Sequence, residues 1–178
     1  MKKSYKVIND CRGMNENEIV KVILESRSIK EKEHFLYPDE NDLIPLENLK
    51  FIDQASNIVI DGIKNNKQFH VLADTDLDGI SSGAQMIRYL KEYTKNITWS
   101  INQGKAHGLL NQNLERFNNV DILIIVDSLD KDVTAYKALY KNGIKIIILD
   151  HHDIKPEIDY DTYTTLVSSQ RGYPNPAL

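Results

Sequence analysis

The chain has a single cysteine and no long hydrophobic run, and both absences narrow the class of protein it can belong to. Cys11 is the only cysteine among the 178 residues, which excludes an internal disulfide framework and indicates a reducing, cytoplasmic location. The apolar runs are far shorter than the ~20 residues of a membrane-spanning helix. Residues 1–5 lead into polar residues rather than into an apolar signal core. We therefore expect a soluble chain that has no membrane partner.

An excess of positive charge is also absent. The 22 Lys and Arg residues against 26 Asp and Glu residues give a net charge of −4, which argues against binding nucleic acid through overall charge. Bound divalent cations would neutralise several of the acidic residues and reverse the local electrostatics. Composition therefore neither demands nor forbids a nucleic-acid substrate.

The pattern of apolar residues changes at about residue 67. Residues 1–67 are predicted to form a helical lead-in, in which Asn15–Glu18 has the character of a helix cap and a third helix covers about 49–65. Residues 68–178 alternate between strands and amphipathic helices. The predicted strands lie near 69–73, 97–101, 122–126, 144–149 and 164–168, and the predicted helices near 80–94, 110–117 and 131–142. This alternation predicts an α/β core domain with an open, mostly parallel, Rossmann-like sheet and flanking helices, preceded by a small helical segment.

Carboxylates and histidines follow three of the predicted strands directly. They are Asp74, Asp76 and Asp78 after the first strand, Asp127 after the third, and Asp150, His151 and His152 after the fourth. Open α/β sheets bind ligands just outside the carboxyl ends of their strands, so these side chains are expected to meet. Carboxylate and imidazole ligands suit manganese or magnesium, with zinc or iron as further options, whereas a lone cysteine argues against a thiolate site.

Local geometry suggests how these residues divide the work. Alternate residues of an extended or turning segment point the same way, so Asp76 and Asp78 can both face a cation beyond the strand end, with Gly79 permitting the tight turn into the following helix. Two consecutive histidines cannot both point the same way from a strand, so one would ligate a metal and the other would reach a substrate phosphate or a second ion. Asp150 is expected to orient an imidazole. Asp130 is expected to cap the next helix.

These ligands indicate hydrolysis of a phosphorus ester or anhydride. Two ions roughly 3.5–4 Å apart activate a bridging water and stabilise an in-line phosphoryl displacement, and Asp127 could bridge them. An EF-hand calcium loop fits poorly, because Gln85 stands where the loop needs a bidentate glutamate and a strand replaces the flanking helix. A haloacid-dehalogenase-type phosphatase fits poorly too, because Ile80 stands where that family has threonine and the two histidines would have no role.

The motifs resemble those of the DHH phosphoesterase superfamily. Its order D-x-D-x-D-G, V-D-S and D-H-H is found at Asp74–Gly79, Val126–Ser128 and Asp150–His152. Within the superfamily, the chain resembles the RecJ-like single-stranded-DNA-specific exonucleases. The supporting segments are Phe35–Pro38, Asp74–Ser81, Ala106–Leu109 and Gln170–Asn175.

This resemblance implies a 5′-to-3′ exonuclease that acts on single-stranded DNA with two Mn2+ (or Mg2+) ions, with replication or repair proteins as partners. The implied metal ligands are Asp74, Asp76, Asp78, Asp127, His151 and His152. Asp127, His151 and His152 are the implied catalytic residues, and Asp150 would orient the two histidines. His107, Arg171 and Tyr173 are the implied substrate-binding residues. Leu72 stands where RecJ proteins commonly have histidine, so His70 is expected to be a strand residue.

Other functions stay open within the same superfamily. A later aspartate ligand and a C-terminal substrate-binding domain would follow Leu178, so the resemblance implies a truncated chain. The alternatives are another DHH phosphoesterase, such as a nanoRNA or cyclic-dinucleotide phosphodiesterase or a family II-like pyrophosphatase, and a catalytically defective module used for assembly.

Overall fold

The computed structural model describes residues 9–40, 45–102, 108–109 and 112–172. The chain divides into two compact units, Met1–Ile44 and Pro45–Leu178. The third helix, which the sequence groups with the helical lead-in, belongs to the second of these units. The domain boundary at residue 67 stays a prediction.

The described part of the first unit contains two helices, α1 (Glu16–Ser26) and α2 (Lys32–Leu36). The start of α1 has the capping box that the sequence predicts. The Asn15 side chain accepts a hydrogen bond from the Glu18 N–H (3.1 Å), and the Glu18 carboxylate accepts one from the Asn15 N–H (2.8 Å). Two amides at the helix start, which have no partner within the helix, are satisfied in this way.

The second unit is built on a five-stranded sheet with the strand order β2-β1-β3-β4-β5. The strands are β1 (Phe69–Ala73), β2 (Ile97–Ile101), β3 (Ile122–Val126), β4 (Lys145–Asp150) and β5 (Thr165–Ser168). All four pairings are parallel, so the five carboxyl ends lie along one edge of the sheet. The parallel α/β fold predicted from the sequence is confirmed.

Helices cover the sheet because its central strands are apolar on both faces. The helices of this unit are α3 (Ile52–Lys64), α4 (Leu77–Tyr93) and α5 (Thr134–Lys141). In β3, Ile122, Ile124 and Val126 pack in one buried cluster, and Leu123 and Ile125 pack in the other. A strand buried on both faces explains why the sequence has a continuous apolar run here rather than an alternating one.

Three predicted helices differ from those observed. The helix predicted near 110–117 is a single 3-10 turn, Leu114–Phe117, with residues 110 and 111 outside the described part of the chain. Helix α4 begins at Leu77 rather than near residue 80, because Asp76 caps it. Helix α5 begins at Thr134, whose N–H donates to the Asp132 carboxylate (2.8 Å). No helix in the described ranges is both long and apolar enough to cross a membrane.

Candidate metal centre

The carboxyl ends of β1, β3 and β4 bring the predicted ligands together. The Asp127 Oδ1 atom lies 3.2 Å from His151 Nε2 and 3.8 Å from His152 Nδ1. Two groups of potential metal ligands result, one formed by Asp127, His151 and His152 and the other by Asp74, Asp76 and Asp127, and within each group the ligand atoms lie within 4.8 Å of one another. Asp127 belongs to both groups, which is the position that a carboxylate bridging two ions would occupy.

Asp127 carries a negative charge in an unfavourable place. Its side chain is only 7% exposed, and its Oδ2 atom is buried without a hydrogen-bond partner in the described part of the chain. Burial and the neighbouring carboxylates of Asp78, Asp76 and Asp150 raise the pKa of Asp127 to about 6. An unsatisfied buried oxygen costs free energy, and a divalent cation would remove that cost. The residues present therefore fit a metal ion.

The backbone at Asp127 is also unusual. Its φ angle of +57° lies in the left-handed region, which is uncommon outside glycine but is tolerated better by aspartate than by most residues. The Asp127 N–H still donates to the Leu149 carbonyl (2.8 Å), so the residue stays tied to the neighbouring strand β4. Such conformations are found preferentially at functional sites.

The first acidic cluster is arranged around the start of α4 rather than along an extended segment. The Asp76 carboxylate caps the helix by accepting from the Gly79 N–H (3.2 Å), and this hydrogen bond lowers the pKa of Asp76. Asp78 lies in the first turn, outside both ligand groups, with its Oδ2 3.7 Å from His151 Nε2. Because α4 begins at Leu77, the start of the helix and not strand alternation sets the directions of these two carboxylates, and their facing a common cation stays a prediction.

Gly79 matters for space rather than for backbone conformation. A Cβ atom at this position would lie 2.7 Å from the Asp74 Cβ and 2.8 Å from the Asp74 carbonyl carbon. Real Cβ contacts are not this short, so only glycine lets the first turn of α4 pack directly on the Asp74 backbone. This close packing holds buried Asp74 near Asp76.

The two consecutive histidines both face Asp127. Strand β4 ends at Asp150, so the histidines follow the strand and are free of its alternation. Their ring centroids are 4.8 Å apart, with the ring planes tilted by 58°. The expectation that they would point in different directions was therefore wrong, because it assumed strand geometry for residues that lie beyond the strand.

Asp150 holds His152 from behind the ligand group. Its Oδ1 atom accepts a hydrogen bond from the His152 backbone N–H and lies 2.9 Å from the ring atom Nδ1. Burial alone would lower the pKa of His152, but the charges of Asp150 and Asp127 raise it above its ordinary value. An Nδ1–H donated to Asp150 leaves the lone pair of the neutral ring on Nε2. Asp150 thus lies within hydrogen-bonding distance of the His152 ring, and its orienting role towards a metal ligand stays a prediction.

His70 has a different environment. Its Nδ1 lies 2.8 Å from Thr98 Oγ1, its Nε2 lies 2.8 Å from Ser100 Oγ, and its ring packs edge-on against Phe117. Burial lowers the pKa of His70 to about 4. Both ring nitrogens are engaged by hydroxyl groups of β2, in keeping with the prediction that His70 is a strand residue rather than a ligand.

The predicted substrate-binding residues are less well supported. His107 and Tyr173 lie outside the described residues. Arg171 is only 13% exposed, with its Nη1 atom 2.6 Å from Asp161 Oδ1 and its guanidinium group 5.5 Å from the centre of the Phe51 ring. An arginine held in this way is already paired with an acid, so its role towards a substrate stays a prediction.

Asp130 does not cap α5, which is a correction to the sequence interpretation. It is buried, and its carboxylate accepts a hydrogen bond from the Leu109 N–H (2.8 Å). Gly108 has a φ of +58°, and a Cβ atom there would lie 2.5 Å from the same carboxylate. Asp130 therefore holds the backbone of residues 108–109 against the segment that follows β3.

An apolar wall, which the sequence motifs do not predict, lies beside the ligands. A cavity of about 490 Å³ is lined by Asp78, Asp127, Asp150 and His151 on one side and by Leu49, Ile52, Leu149 and Val167 on the other. The only signal in the sequence was the apolar face of the predicted helix at 49–65. The wall gives this site a polar side for a charged group and an apolar side for an uncharged ring or chain.

The fold and the site together define a parallel α/β protein with a candidate two-ion metal centre at the carboxyl edge of its sheet. The chain belongs to the DHH family, since the sequence model of the DHH family, N-terminal domain, matches residues 68–173.

Relatives of known name support the RecJ-like resemblance. The chain is 32% identical over 133 residues to the putative SPbeta prophage-derived single-strand DNA-specific exonuclease YorK of Bacillus subtilis (strain 168), a match that covers 74% of this chain and 23% of that protein. It is 23% identical over 129 residues to the single-stranded-DNA-specific exonuclease RecJ of the same organism, covering 70% of this chain and 16% of that protein. The chain thus spans less than a quarter of the length of these relatives.

Solved structures show the same fold. The crystal structure of RecJ from Thermus thermophilus in complex with Mn2+ matches with a TM-score of 0.61 and 20% identity, over 83% of this chain and 20% of that chain. A second structure, exonuclease RecJ bound to manganese, matches with a TM-score of 0.64 and 20% identity, over 75% of this chain and 34% of that chain.

Proposed function

We propose that this protein hydrolyses phosphodiester bonds with two divalent metal ions, as a RecJ-like exonuclease that degrades single-stranded DNA from its 5′ end. The observation that carries the proposal is the position of Asp127, which belongs to two ligand groups and keeps a buried oxygen without a hydrogen-bond partner in the described part of the chain. A carboxylate in this position is what a two-ion phosphoesterase needs.

The relatives favour DNA as the substrate and manganese as the metal. YorK and RecJ are named as single-strand DNA-specific exonucleases, and both solved RecJ structures contain manganese. The oxygen and imidazole donors of this chain suit Mn2+ or Mg2+. Replication or repair proteins as partners stay a prediction.

The residues would share the work as follows. Asp74, Asp76 and Asp127 would hold one ion, and Asp127, His151 and His152 the other, with Asp78 close to His151. The ions would supply positive charge for the phosphoryl oxygens and a water of lowered pKa. Asp150 would fix the ring of His152, and the apolar wall would offer an uncharged surface beside the ions.

The test is a hydrolysis assay with single-stranded DNA that carries a 5′ phosphate and a 3′ fluorescent label. With Mn2+ we expect shortening from the 5′ end, with EDTA none, and with Asp127→Ala none. Asp153→Asn is the matched control, because Asp153 is an exposed acid three residues after Asp150.

Unchanged hydrolysis by Asp127→Ala would contradict the bridging role. Cleavage of dinucleotides, cyclic dinucleotides or pyrophosphate in place of DNA strands would favour another DHH phosphoesterase. Strand binding without any hydrolysis would favour a catalytically defective module.

A further inference from the structure

A second groove of about 490 Å³ lies between α4 and β2, away from the apolar wall described above. The residues that form it include Ile80, Gly83, Ile87, Trp99 and Ile101. Strand β2 is at the edge of the sheet, so the groove is bounded by a helix on one side and by an exposed sheet edge on the other. Gly83 packs so closely that a Cβ there would lie 2.7 Å from the Ala73 Cβ, and the small residues Gly83 and Ala84 leave room beside them.

Trp99 is the most conspicuous residue of this groove. It is the only tryptophan of the chain, and 54% of it is exposed. Trp99 and Ile101 share one face of β2, whereas Thr98 and Ser100 on the opposite face contact His70. A large aromatic ring that stays in solvent on a sheet edge, beside an exposed Ile101, does not serve the core.

Two cations lie on the helical side of the same groove. Arg88 and Lys91 both line it and are both exposed. Neither has an ion pair with a carboxylate among the residues that the structure describes. Arg88 and Lys91 therefore place positive charge beside the Trp99 ring in a chain whose net charge is −4. The combination of basic side chains and an aromatic platform is what proteins use to bind single-stranded nucleic acid, because the cations contact phosphates and the ring stacks on a base.

One end of the groove lies at the same carboxyl edge of the sheet as the candidate metal centre. Ile80 lies two residues after Asp78 in the first turns of α4, and Ala73, which also lines the groove, directly precedes Asp74. From Ile80 to Lys91 the helix spans about 16 Å. A strand lying in the groove would therefore have one end near the sheet edge that carries the candidate ligands and would extend along α4.

We propose that the groove between α4 and β2 binds single-stranded nucleic acid, with Trp99 stacking on a base and Arg88 and Lys91 contacting phosphates. The proposal rests on the proposed function only for the class of substrate. It assigns a path by which the strand reaches the metal centre.

Trp99 itself provides the readout. As the only tryptophan, it makes the intrinsic fluorescence of the full chain a direct report on this groove. The measurement uses Asp127→Ala with Mg2+, so that the strand stays intact, and adds an oligothymidylate of eight nucleotides. We expect saturable quenching of the emission by the oligothymidylate, and much weaker quenching by a blunt duplex of the same length.

Variants separate stacking from charge. In fluorescence anisotropy with a labelled oligothymidylate, Trp99→Ala is expected to weaken binding by about 5- to 160-fold, the range for loss of one stacked base, while Trp99→Phe stays close to the parent. The matched control is Tyr140→Ala, another half-exposed aromatic, which lies on α5.

Arg88→Ala with Lys91→Ala is expected to reduce the slope of log Kd against log salt concentration by about 1.4, since each phosphate contact on a single strand contributes about 0.7. Lys137→Ala with Lys141→Ala is the control for charge.

The outcomes distinguish this inference from the proposed function. Hydrolysis of single-stranded DNA without quenching of Trp99 and without an effect of Trp99→Ala would contradict the binding role of the groove and would still support the nuclease activity. Saturable quenching with the predicted variant effects, in a chain that does not hydrolyse DNA, would support the groove and contradict the nuclease. Equal quenching by duplex and single strand would overturn the assignment to single-stranded nucleic acid.

Discussion

His70 and the pair His151–His152 lie in the same parallel sheet and have opposite chemistry. His70 is inside β1, and both of its ring nitrogens are engaged by hydroxyl groups of Thr98 and Ser100. The pair lies just beyond β4, where both rings face the carboxylate of Asp127. Burial lowers the pKa of His70 to about 4, whereas neighbouring carboxylates raise the pKa of His152.

The difference shows that position relative to the strand end decides what a histidine does in this fold. Inside the strand, neighbouring hydroxyls satisfy both ring nitrogens, and burial keeps the ring neutral. Beyond the strand end, the backbone no longer alternates, so consecutive rings can converge on one carboxylate. If the two environments are separate, a change at His70 should leave metal binding at the His151–His152 pair unaffected.

The largest expected effect is on metal binding. His151→Ala removes a ligand candidate 3.2 Å from Asp127, and we expect Mn2+ affinity to fall by about 100-fold or more, since loss of an orienting residue alone costs up to that amount. His70→Gln is the matched control and should bind Mn2+ like the parent. Isothermal titration calorimetry gives both values. Equal affinities for the two variants would remove the distinction between the two environments.

A smaller effect on metal binding is expected when Asp150, the residue beside His152, is changed. Asp150→Asn removes the charge that faces His152 Nδ1 at 2.9 Å, so the ring loses its raised pKa and its fixed position. We expect Mn2+ affinity or hydrolysis to fall by about 10- to 100-fold. Asp153→Asn, which changes an exposed acid nearby, should have no effect. A decrease of the same size in both variants would indicate a general effect of charge rather than orientation.

The third effect is on stability alone. His70→Ala leaves the Ser100 hydroxyl without its partner and opens a cavity beside Phe117, so we expect a loss of about 1–3 kcal/mol in the free energy of unfolding. Urea denaturation measures this loss, and His70→Gln should lose less because it keeps a polar group in place. Mn2+ affinity should not change. A decrease in affinity would place His70 in the metal centre after all.

Much of the fold could be predicted because the central strands are buried on both faces. The apolar run of β3 was predicted at 122–126 and is found there, since a short run rich in β-branched residues favours a buried strand over a helix. The meeting of Asp74, Asp127 and the histidines followed from the parallel order of the strands. These predictions require only the position of each strand end.

Features that depend on distant partners could not be predicted. Asp130 looked like a helix cap, but its carboxylate accepts from Leu109, 21 residues away in sequence. The start of α4 was placed too late because Asp76 is both its cap and a ligand candidate. The groove at Trp99 combines a helix face and a sheet edge, and neither has a distinctive motif of its own.

The smallest effect is a difference in how the stability of the metal-free protein depends on pH. Asp127 has a raised pKa of about 6 against an ordinary value of 3.8, so its contribution to stability is fully present below pH 4 and is lost as the pH rises through 6. His70 has a lowered pKa of about 4 against 6.5, so its contribution is present above pH 6.5 and is lost as the pH falls through 4.

The stabilities of Asp127→Asn and His70→Gln, which lack the titrating group, should therefore diverge from that of the parent in opposite directions. In EDTA between pH 4.5 and 6.5, Asp127→Asn should gain stability relative to the parent as the pH rises, because the parent must ionise a buried carboxyl. His70→Gln should lose stability relative to the parent over the same interval. Each change should amount to about 1–2 kcal/mol, less than the full value of the pKa shift because the interval covers only part of each titration. Urea denaturation at three pH values measures both slopes, and slopes of the same sign would show that the two sites share one electrostatic environment.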